Sequence, residues 1–315
     1  MIEESRRITL PLGDVSLSET LGSYYIDMRP ALVHYTHNIY GGSFDAAGVP
    51  MCGGGPEGLH YMPINVLQYG LMLHADWMES RDPATLLTLE NCLRVLEELK
   101  SERDRARVWW HLTYDPKYDI HPPWASAMAQ GEAISFYLRM YQALGRSSLL
   151  DTALGAYRFL AVPLSDGGVR RQDDEGNLWF EEFPSERPSF VLNGFIYTLF
   201  GLYDLYRITG DSAVKADIDA CLRTLRANLH RFDAGYWSTY DLQRKELVRY
   251  YYQKNVHVPQ MAVLHRLTGE KIFAEYRDKW ESQITPLNFL FVQLMYRVKP
   301  RFERVRRMWH GTGSS

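Results

Sequence analysis

The stretch WFEEFPSERPSFVLNGFIYTLFGLY, Trp179–Tyr203, largely decides how this chain can fold. It places two acids in tandem, Glu181 and Glu182, among aromatic residues, and continues through a proline-marked turn into an apolar run with one amide, Asn193. Aromatic neighbours are not typical of a solvated charge run. The pattern therefore predicts a strand or loop that brings carboxylates to the edge of a pocket, followed by a buried helix from about Ser189. Alternatively, an acid only caps that helix, since acids are favoured at helix N-termini.

Paired helical segments follow one another along the chain after residue 60. Three of the turns inside the pairs look alike: ALGRSSLL at Gly145, ITGDSAVK at Gly210 and LTGEKIFA at Gly269. A glycine in the left-handed conformation ends one helix, and a serine or aspartate caps the next. A recurring helical hairpin predicts a mainly α fold, an incomplete α/α toroid of about four hairpins with short β-hairpins on the loop face. The predicted helices cover 64–79, 84–102, 125–144, 147–161, 189–209, 212–230, 256–268 and 270–283, and a last apolar segment starts near 285.

The domain organisation follows from where helical periodicity begins. Residues 1–60 are rich in turn residues, so we expect an irregular segment with short strands that packs on the toroid. Residues 61–310 form the expected catalytic toroid, and 311–315 form a flexible tail. Within the long connection 163–188, the sequence predicts a β-hairpin that turns at Gly176.

Composition and charge exclude several classes of protein. The chain has 315 residues, of which 46% are hydrophobic, and a net charge of -3, so it can build a core but offers no basic surface for nucleic acid. The N-terminus has no apolar signal segment, and no uncharged apolar run is long enough to span a membrane, so a cytoplasmic location is the default expectation. The three cysteines show no metal-ligand spacing, and no dinucleotide fingerprint occurs. We therefore expect neither a metal nor a cofactor.

Two long segments carry a family resemblance. They are WFEEFPSERPSFVLNGFIYTLFGLYDL and SAMAQGEAIS at Ser126–Ser135, and weaker matches stand in the family's order at YMPINVLQYGL, STYDL and HVPQM. These segments resemble the animal D-glucuronyl C5-epimerases, which convert glucuronate to iduronate in heparan sulfate precursors. The resemblance implies a helical domain of the α/α kind and cofactor-independent conversion of D-glucuronate to L-iduronate in an oligo- or polysaccharide such as heparosan. It leaves open whether the chain forms a homodimer.

The resemblance also implies catalytic residues. Tyr240 in STYDL stands at the position of one catalytic tyrosine of the family, and Tyr252, with Tyr251 as the alternative register, stands near another. Inversion at C5 needs a base on one face, an acid on the other, and a cation or hydrogen-bond donors at the carboxylate. A tyrosine serves if positive neighbours lower its pKa, and Glu182 is the third catalytic candidate. The run Tyr250–Tyr252 could also be part of a buried strand.

Two positions depart from the family pattern. The family has a tyrosine directly after the second acid of the tandem, where this chain has Phe183, which cannot transfer protons. Either that tyrosine is dispensable, or Glu182 does the proton work, or the chain is not an active epimerase. The family also has an arginine three positions beyond the first tyrosine, where this chain has Gln243. Arg244 or Arg249 is then the candidate that neutralises the substrate carboxylate.

Seven side chains are candidates for contacts with the sugar. A buried amide must find hydrogen-bond partners, an aromatic ring on the loop face can stack on a sugar, and a cation can pair with a uronate. For each residue, an ordinary role in core or surface packing competes with the functional one. The candidates are Gln130, Asn193, His257, Arg244, Glu181, Trp124 and Tyr251.

Two other functions fit the same sequence. A polysaccharide lyase begins with the same removal of the C5 proton and then expels the C4 substituent, so it needs the same base and carboxylate clamp. A non-catalytic glycan-binding relative of the epimerases would also retain the segments above, and Phe183 favours it. A lyase makes an unsaturated, ultraviolet-absorbing uronate, and a binding protein leaves the C5 proton in place.

Overall fold

The computed structural model describes residues 8–32, 43–53 and 58–296, and most of this part of the chain is helical. The predicted tail, 311–315, and the last part of the predicted toroid, 297–310, lie outside the described residues. The helices are α1 (Pro63–Ser80), α2 (Pro83–Leu99), α3 (Ala127–Leu144), α4 (Ser147–Leu160), α5 (Leu192–Thr209), α6 (Ser212–Asn228), α7 (Val258–Thr268), α8 (Lys271–Ser282) and α9 (286–296).

The turns inside the helical pairs form as the sequence predicts. Gly145, Gly210 and Gly269 end α3, α5 and α7 in the left-handed conformation, with φ of 67°, 63° and 71°. The next helix starts at once, and Asp211 caps α6 by accepting from a backbone N–H of its first turn. Asp82 caps α2 in the same way. Each of these turns therefore reverses the chain within a few residues and sets two helices side by side.

The four pairs are arranged in two layers, which confirms the predicted incomplete α/α toroid. Helices α3 and α5 are buried along most of their length, whereas α2, α4, α6 and α8 bury only one face. The backbones of α3 and α5 approach so closely that a Cβ on Gly131 would lie 2.5 Å from the Thr198 Cα. A Cβ on Gly201 would lie 2.3 Å from the Gly131 carbonyl oxygen, so the glycines at this crossing allow the inner helices to touch.

Short antiparallel sheets occupy the connections between the pairs. The predicted hairpin in 163–188 is confirmed, because β7 pairs with β8 and Gly176 lies in the turn with φ of 79°. The structure also forms two small sheets, in the orders β1-β2-β3 and β4-β5-β6. The strands are β1 (Ser43–Phe44), β2 (Pro50–Gly53), β3 (Leu59–His60), β4 (Lys100–Arg103), β5 (Ala106–His111), β6 (Trp124–Ala125), β7 (Arg170–Gln172) and β8 (Leu178–Phe180).

Several predicted helix boundaries are wrong where a strand or a tight turn takes over. The helix predicted at 84–102 ends at Leu99, because Lys100 already pairs with Trp109 in the next strand. The helix predicted from about Ser189 begins at Leu192, because Val191 bridges to Asp241 on the neighbouring connection. The local helical pattern of the sequence carries no information on these pairings with distant segments.

The N-terminal segment contacts the inner helices α3 and α5 near their C-terminal ends. The Arg139 guanidinium near the end of α3 donates to the Gly22 carbonyl at 2.9 Å, and Arg207 near the end of α5 donates to the Ser18 carbonyl at 2.6 Å. Arg139 also pairs with the fully buried Asp204 at 2.6 Å, and Arg207 pairs with Asp14 at 2.9 Å. Residues 8–32 therefore cover the C-terminal ends of α3 and α5. The boundaries 1–60 and 61–310 stay a prediction.

Among the described residues, no helix combines the length and the apolar character that crossing a membrane requires. None of the three cysteines forms a disulfide with another described residue, and Cys92 and Cys221 are buried.

Candidate active site

Glu182 lies at the centre of the candidate site. It is the second residue after β8, in the tandem of acids that the sequence pattern placed there, and it is buried against the first turn of α5. Gly194 makes this possible, because a Cβ there would lie 2.1 Å from the Glu182 Oε2 atom. The Tyr240 hydroxyl donates to Glu182 Oε1 at 3.1 Å. Burial raises the pKa of Glu182 to about 7, although Tyr240 and the nearby charge of Lys117 lower it, so this acid can both gain and lose a proton near neutral pH.

Tyr240 and Tyr252 meet in the same cluster. Their ring centroids are 5.9 Å apart, and the rings meet edge to face at 76°. Tyr240 is held in place because its backbone carbonyl accepts from Leu192 N, at the start of α5, at 3.1 Å. Burial and the charge of Glu182 raise the pKa of both tyrosines, so the lowered pKa that was set as a condition for a tyrosine base is not found in the free protein. Both hydroxyls stay protonated in the free protein and are placed to donate. That they flank a substrate from opposite faces stays a prediction.

The run Tyr250–Tyr252 forms a helical turn and not a strand. It continues through a π-helix, Gln253–His257, directly into α7, so helical structure begins earlier than the predicted start at 256. Short π-helical segments within α-helices are frequent at functional sites. Tyr251 is also partly buried, its ring lies 6.5 Å from that of Tyr252, and burial raises its pKa to about 12. The structure brings Tyr252 into contact with Tyr240, and the choice between the two registers stays a prediction.

Glu181 has a different environment from its neighbour in the sequence. Its Oε2 atom accepts from the Ser189 hydroxyl at 2.6 Å and from Phe190 N at 3.0 Å, and its Oε1 atom lies 3.0 Å from Arg171 Nε. Burial raises the pKa of Glu181, and these partners oppose that effect. The contacts fix the turn before α5, but α5 itself has no side-chain cap. Glu181 therefore tethers the turn, and a contact with the sugar stays a prediction.

Three buried amides present acceptors that no described residue satisfies. Gln130 donates to the Arg107 carbonyl at 2.9 Å, Gln260 donates to the Asn193 carbonyl at 3.0 Å, and the Asn193 amide contacts the Met128 sulfur at 3.9 Å. The side-chain oxygens of Gln130, Gln260 and Asn193 have no hydrogen-bond partner within the described ranges. A buried acceptor without a partner costs free energy, and the contact of Gln130 and Asn193 with a bound sugar stays a prediction.

Glu132 is a further buried acid near Glu182, and the sequence prediction missed it. Its Oε1 atom accepts from Gln68 Nε2 at 3.1 Å, whereas its Oε2 atom has no partner among the described residues. Burial raises its pKa to about 8, and the negative charge of Glu182 adds to this effect. Its position on α3, a helix with most of its length buried, could have revealed it within SAMAQGEAIS.

His257 is a buried, neutral histidine. Its Nδ1 atom lies 2.8 Å from the Ser238 hydroxyl, which donates to Gln253 Oε1 at 2.5 Å. Because that hydroxyl has one proton, Nδ1 is the donor and Nε2 is left as an acceptor, without a partner in the part of the chain described. Burial lowers the pKa of His257 to about 3. The structure thus shows the core contact, and binding of substrate through Nε2 stays a prediction.

Trp124 does not form the open sugar platform expected on the loop face. It is buried, its indole N–H donates to the Thr113 carbonyl at 2.9 Å, and His111 stacks on it at 4.2 Å. Phe183 also lies against it, with ring centroids 5.6 Å apart. Because β6 begins at Trp124, the residue joins the sheet and the small apolar cluster around Phe183.

Arg244 is placed away from the tyrosines, at the surface. Its Nε atom pairs with Glu246 Oε1 at 3.0 Å, and its side chain is 39% exposed. Lys117 does contact the tyrosine cluster, with its Nζ atom 4.2 Å from the ring centroid of Tyr240. The charge of Arg249, the other candidate, acts on Tyr252 and opposes the raised pKa of that tyrosine. No motif in the sequence points to Lys117, because it stands in a long connection.

Residues 103–282, more than half of the chain, match the family described as D-glucuronyl C5-epimerase C-terminus. The chain belongs to this family. The three catalytic candidates lie inside the matched residues, as do Lys117 and Glu132.

Two proteins are similar in sequence to this member of the C5-epimerase family. A D-glucuronyl C5-epimerase of Caenorhabditis elegans is 34% identical over 182 residues, which cover 52% of this chain and 29% of that protein. An uncharacterized protein of Methanocaldococcus jannaschii is 29% identical over 185 residues, which cover 58% of this chain and 59% of that protein. The matches span less than two thirds of either relative.

A solved structure supports the fold of this family member. A family 76 glycoside hydrolase from a bovine Bacteroides thetaiotaomicron strain aligns with a TM-score of 0.54 at 10% identity, over 82% of this chain and 56% of that one. At this identity the likeness concerns the fold alone.

The candidate site contains no evident metal centre. In the part of the chain that the structure describes, no three His, Cys, Asp or Glu side chains come together so as to hold a metal ion.

Proposed function

We propose that this chain converts D-glucuronate to L-iduronate residues in a glucuronate-containing oligo- or polysaccharide. The observation that carries the proposal is the hydrogen bond of 3.1 Å from Tyr240 to the buried Glu182, in contact with the ring of Tyr252. In a member of the C5-epimerase family, this arrangement combines an acid of near-neutral pKa with two tyrosine hydroxyls.

The proton transfers can be assigned to these groups. In the proposed reaction, ionised Glu182 takes the Tyr240 proton as the Tyr240 oxygen removes the proton from C5. The electron pair of the C–H bond moves into the carboxylate, which gives an enediolate. Tyr252 then donates its proton to C5 from the other face, and the configuration is inverted. The Glu182–Tyr240 pair now holds one extra proton and Tyr252 lacks one, so exchange with solvent resets the site.

The buried acceptors fit the rest of the sugar. The side-chain oxygens of Gln130, Asn193 and Gln260 lack partners among the described residues, and a uronate residue brings hydroxyl donors to such positions. A sugar that satisfies them recovers the free energy that an unpaired buried acceptor costs, roughly 1–3 kcal/mol for each group. These contacts position C5 without taking part in proton transfer.

Heavy-water exchange tests the proposal. The protein is incubated with unsulfated heparosan in deuterium oxide, and deuterium at C5 and iduronate signals are measured by NMR. The proposal expects both to appear with the wild-type protein. An ultraviolet-absorbing unsaturated uronate would instead show a lyase and refute the assignment.

A non-catalytic glycan-binding protein is the second candidate, and Phe183 is the observation that favours it. This phenyl ring stands where the family has a tyrosine, and it stacks on Tyr118 with centroids 4.6 Å apart. Phe183 packs against the apolar cluster that contains Tyr118 and Trp124, which is a packing role. Binding of heparosan without any C5 exchange would establish this candidate.

A further inference from the structure

Lys117 is the lysine that contacts the tyrosine cluster. It lies in the connection between β5 and β6, and its side chain is 33% exposed. Its Nζ atom is 4.2 Å from the ring centroid of Tyr240 and 5.0 Å from that of Tyr118. A cation over an aromatic face is attracted to the ring, so Lys117 stays beside the ring whose hydroxyl bonds to Glu182.

Two acids hold the ammonium group loosely. Lys117 Nζ lies 3.6 Å from Asp241 Oδ2 and 3.3 Å from Glu246 Oε2. Charge-assisted N–H···O bonds are usually ~2.7–2.9 Å long, so both distances leave the ammonium free to turn to a further carboxylate.

Asp241 has enough partners without Lys117. Its carboxylate accepts from the Tyr118 hydroxyl at 2.8 Å and from the backbone N–H groups of Arg244 at 2.5 Å and Lys245 at 3.2 Å. These donors satisfy the buried acid and fix the loop. Lys117 is therefore not required to neutralise a lone buried charge, and its own charge is available to a ligand.

We propose that Lys117 binds the carboxylate of the substrate uronate, the role for which the sequence offered Arg244 or Arg249. The inference rests on the proposed function in taking a uronate as the ligand. Arg244 pairs closely with Glu246 and points to the surface, whereas Lys117 contacts the ring of the proposed catalytic tyrosine. When the C5 proton leaves, negative charge accumulates on the substrate carboxylate, and a fixed cation there stabilises it.

The test compares two ligands that differ only in the carboxylate. Calorimetry measures binding of a glucuronate-containing heparosan oligosaccharide and of its carboxyl-reduced counterpart to the full chain. The wild type should prefer the acid. Lys117→Gln should weaken binding of the acid about ten- to hundredfold, which is the size of one hydrogen bond to a charged group. It should change binding of the reduced sugar less than about twofold. Lys117→Arg should keep the preference.

Arg244→Gln is the comparison variant, because it removes the other cation that pairs with Glu246 and a hydrogen bond of 3.3 Å to the Lys117 carbonyl, but leaves the Lys117 ammonium in place. It should leave the preference for the acid unchanged. The inference is overturned if the wild type shows no preference, if Lys117→Gln keeps it, or if only Arg244→Gln loses it. A preference that depends on Lys117 in a protein that never exchanges the C5 proton supports the inference and refutes the epimerase activity.

Discussion

Replacing Glu182 with glutamine removes the buried acid and nearly keeps its shape. Burial raises the pKa of Glu182 from 4.5 to about 7 in the folded protein. The folded state therefore holds the proton more tightly than the unfolded chain. Stability is unaffected below the unfolded pKa and falls as the pH rises through the folded pKa. At ~1.4 kcal/mol per pH unit, this acid costs about 3 kcal/mol of stability in alkaline solution.

Glu182→Gln should thus be as stable as the wild type at about pH 4 and up to about 3 kcal/mol more stable at about pH 9, while C5 exchange falls by ~10²–10⁴. Urea unfolding at both pH values gives the two free energies. Asp82→Asn is the control, because the backbone N–H of Ala84 lowers the pKa of this exposed helix cap, so this variant should lose stability at the higher pH and little at the lower one. A stability gain of equal size at both pH values, or unchanged turnover, would refute the reasoning.

The remaining predictions concern groups around Glu182. Tyr240→Phe and Tyr252→Phe should each lower C5 exchange by ~10²–10⁴ and spare heparosan binding, because only a hydroxyl is lost. If Tyr251→Phe lowers the exchange rate more than Tyr252→Phe does, Tyr251 is the second catalytic tyrosine. Gly194→Ala should abolish exchange, because the new methyl group displaces the Glu182 carboxylate, and thermal melting should show that the fold survives. Phe183→Tyr should be tolerated and raise the exchange rate, because it restores the hydroxyl that the family has at this position. A slower rate would contradict the view that this third hydroxyl assists the reaction.

The repeating turns were predictable because they depend on local conformation. Gly145, Gly210 and Gly269 end their helices in the left-handed region, which a sequence pattern reveals directly. Helix boundaries were missed where pairing with a distant segment decides them. The helix predicted at 84–102 stops at Leu99 because β4 pairs with β5, a contact that the local pattern does not contain.

The candidate site was only partly predictable for the same reason. The sequence pointed to Glu182, Tyr240 and Tyr252, and the structure brings them together. The sequence placed both tandem acids at the sugar, whereas in the structure Glu181 faces Arg171 and Ser189 and Glu182 faces Tyr240. Lys117 and Glu132 reach the site from segments whose positions depend on the whole fold.

The pKa of the tyrosines shows how burial can outweigh a nearby cation. A lowering of these values by positive neighbours was set as the condition for a tyrosine base, and Lys117 does lie 4.2 Å from the ring of Tyr240. Desolvation and the negative charge of Glu182 nevertheless raise the pKa of Tyr240. The acid of near-neutral pKa, and not a tyrosinate, is therefore the group that starts the proposed reaction.

The most direct test of the central claim follows C5 of heparosan by NMR in deuterium oxide with wild-type protein and with Tyr240→Phe. The account predicts deuterium at C5 and iduronate signals with the wild type, and a loss of at least ~10² in rate with the variant. Binding of heparosan with no deuterium at C5 in the wild type, or equal exchange by both proteins, would contradict it.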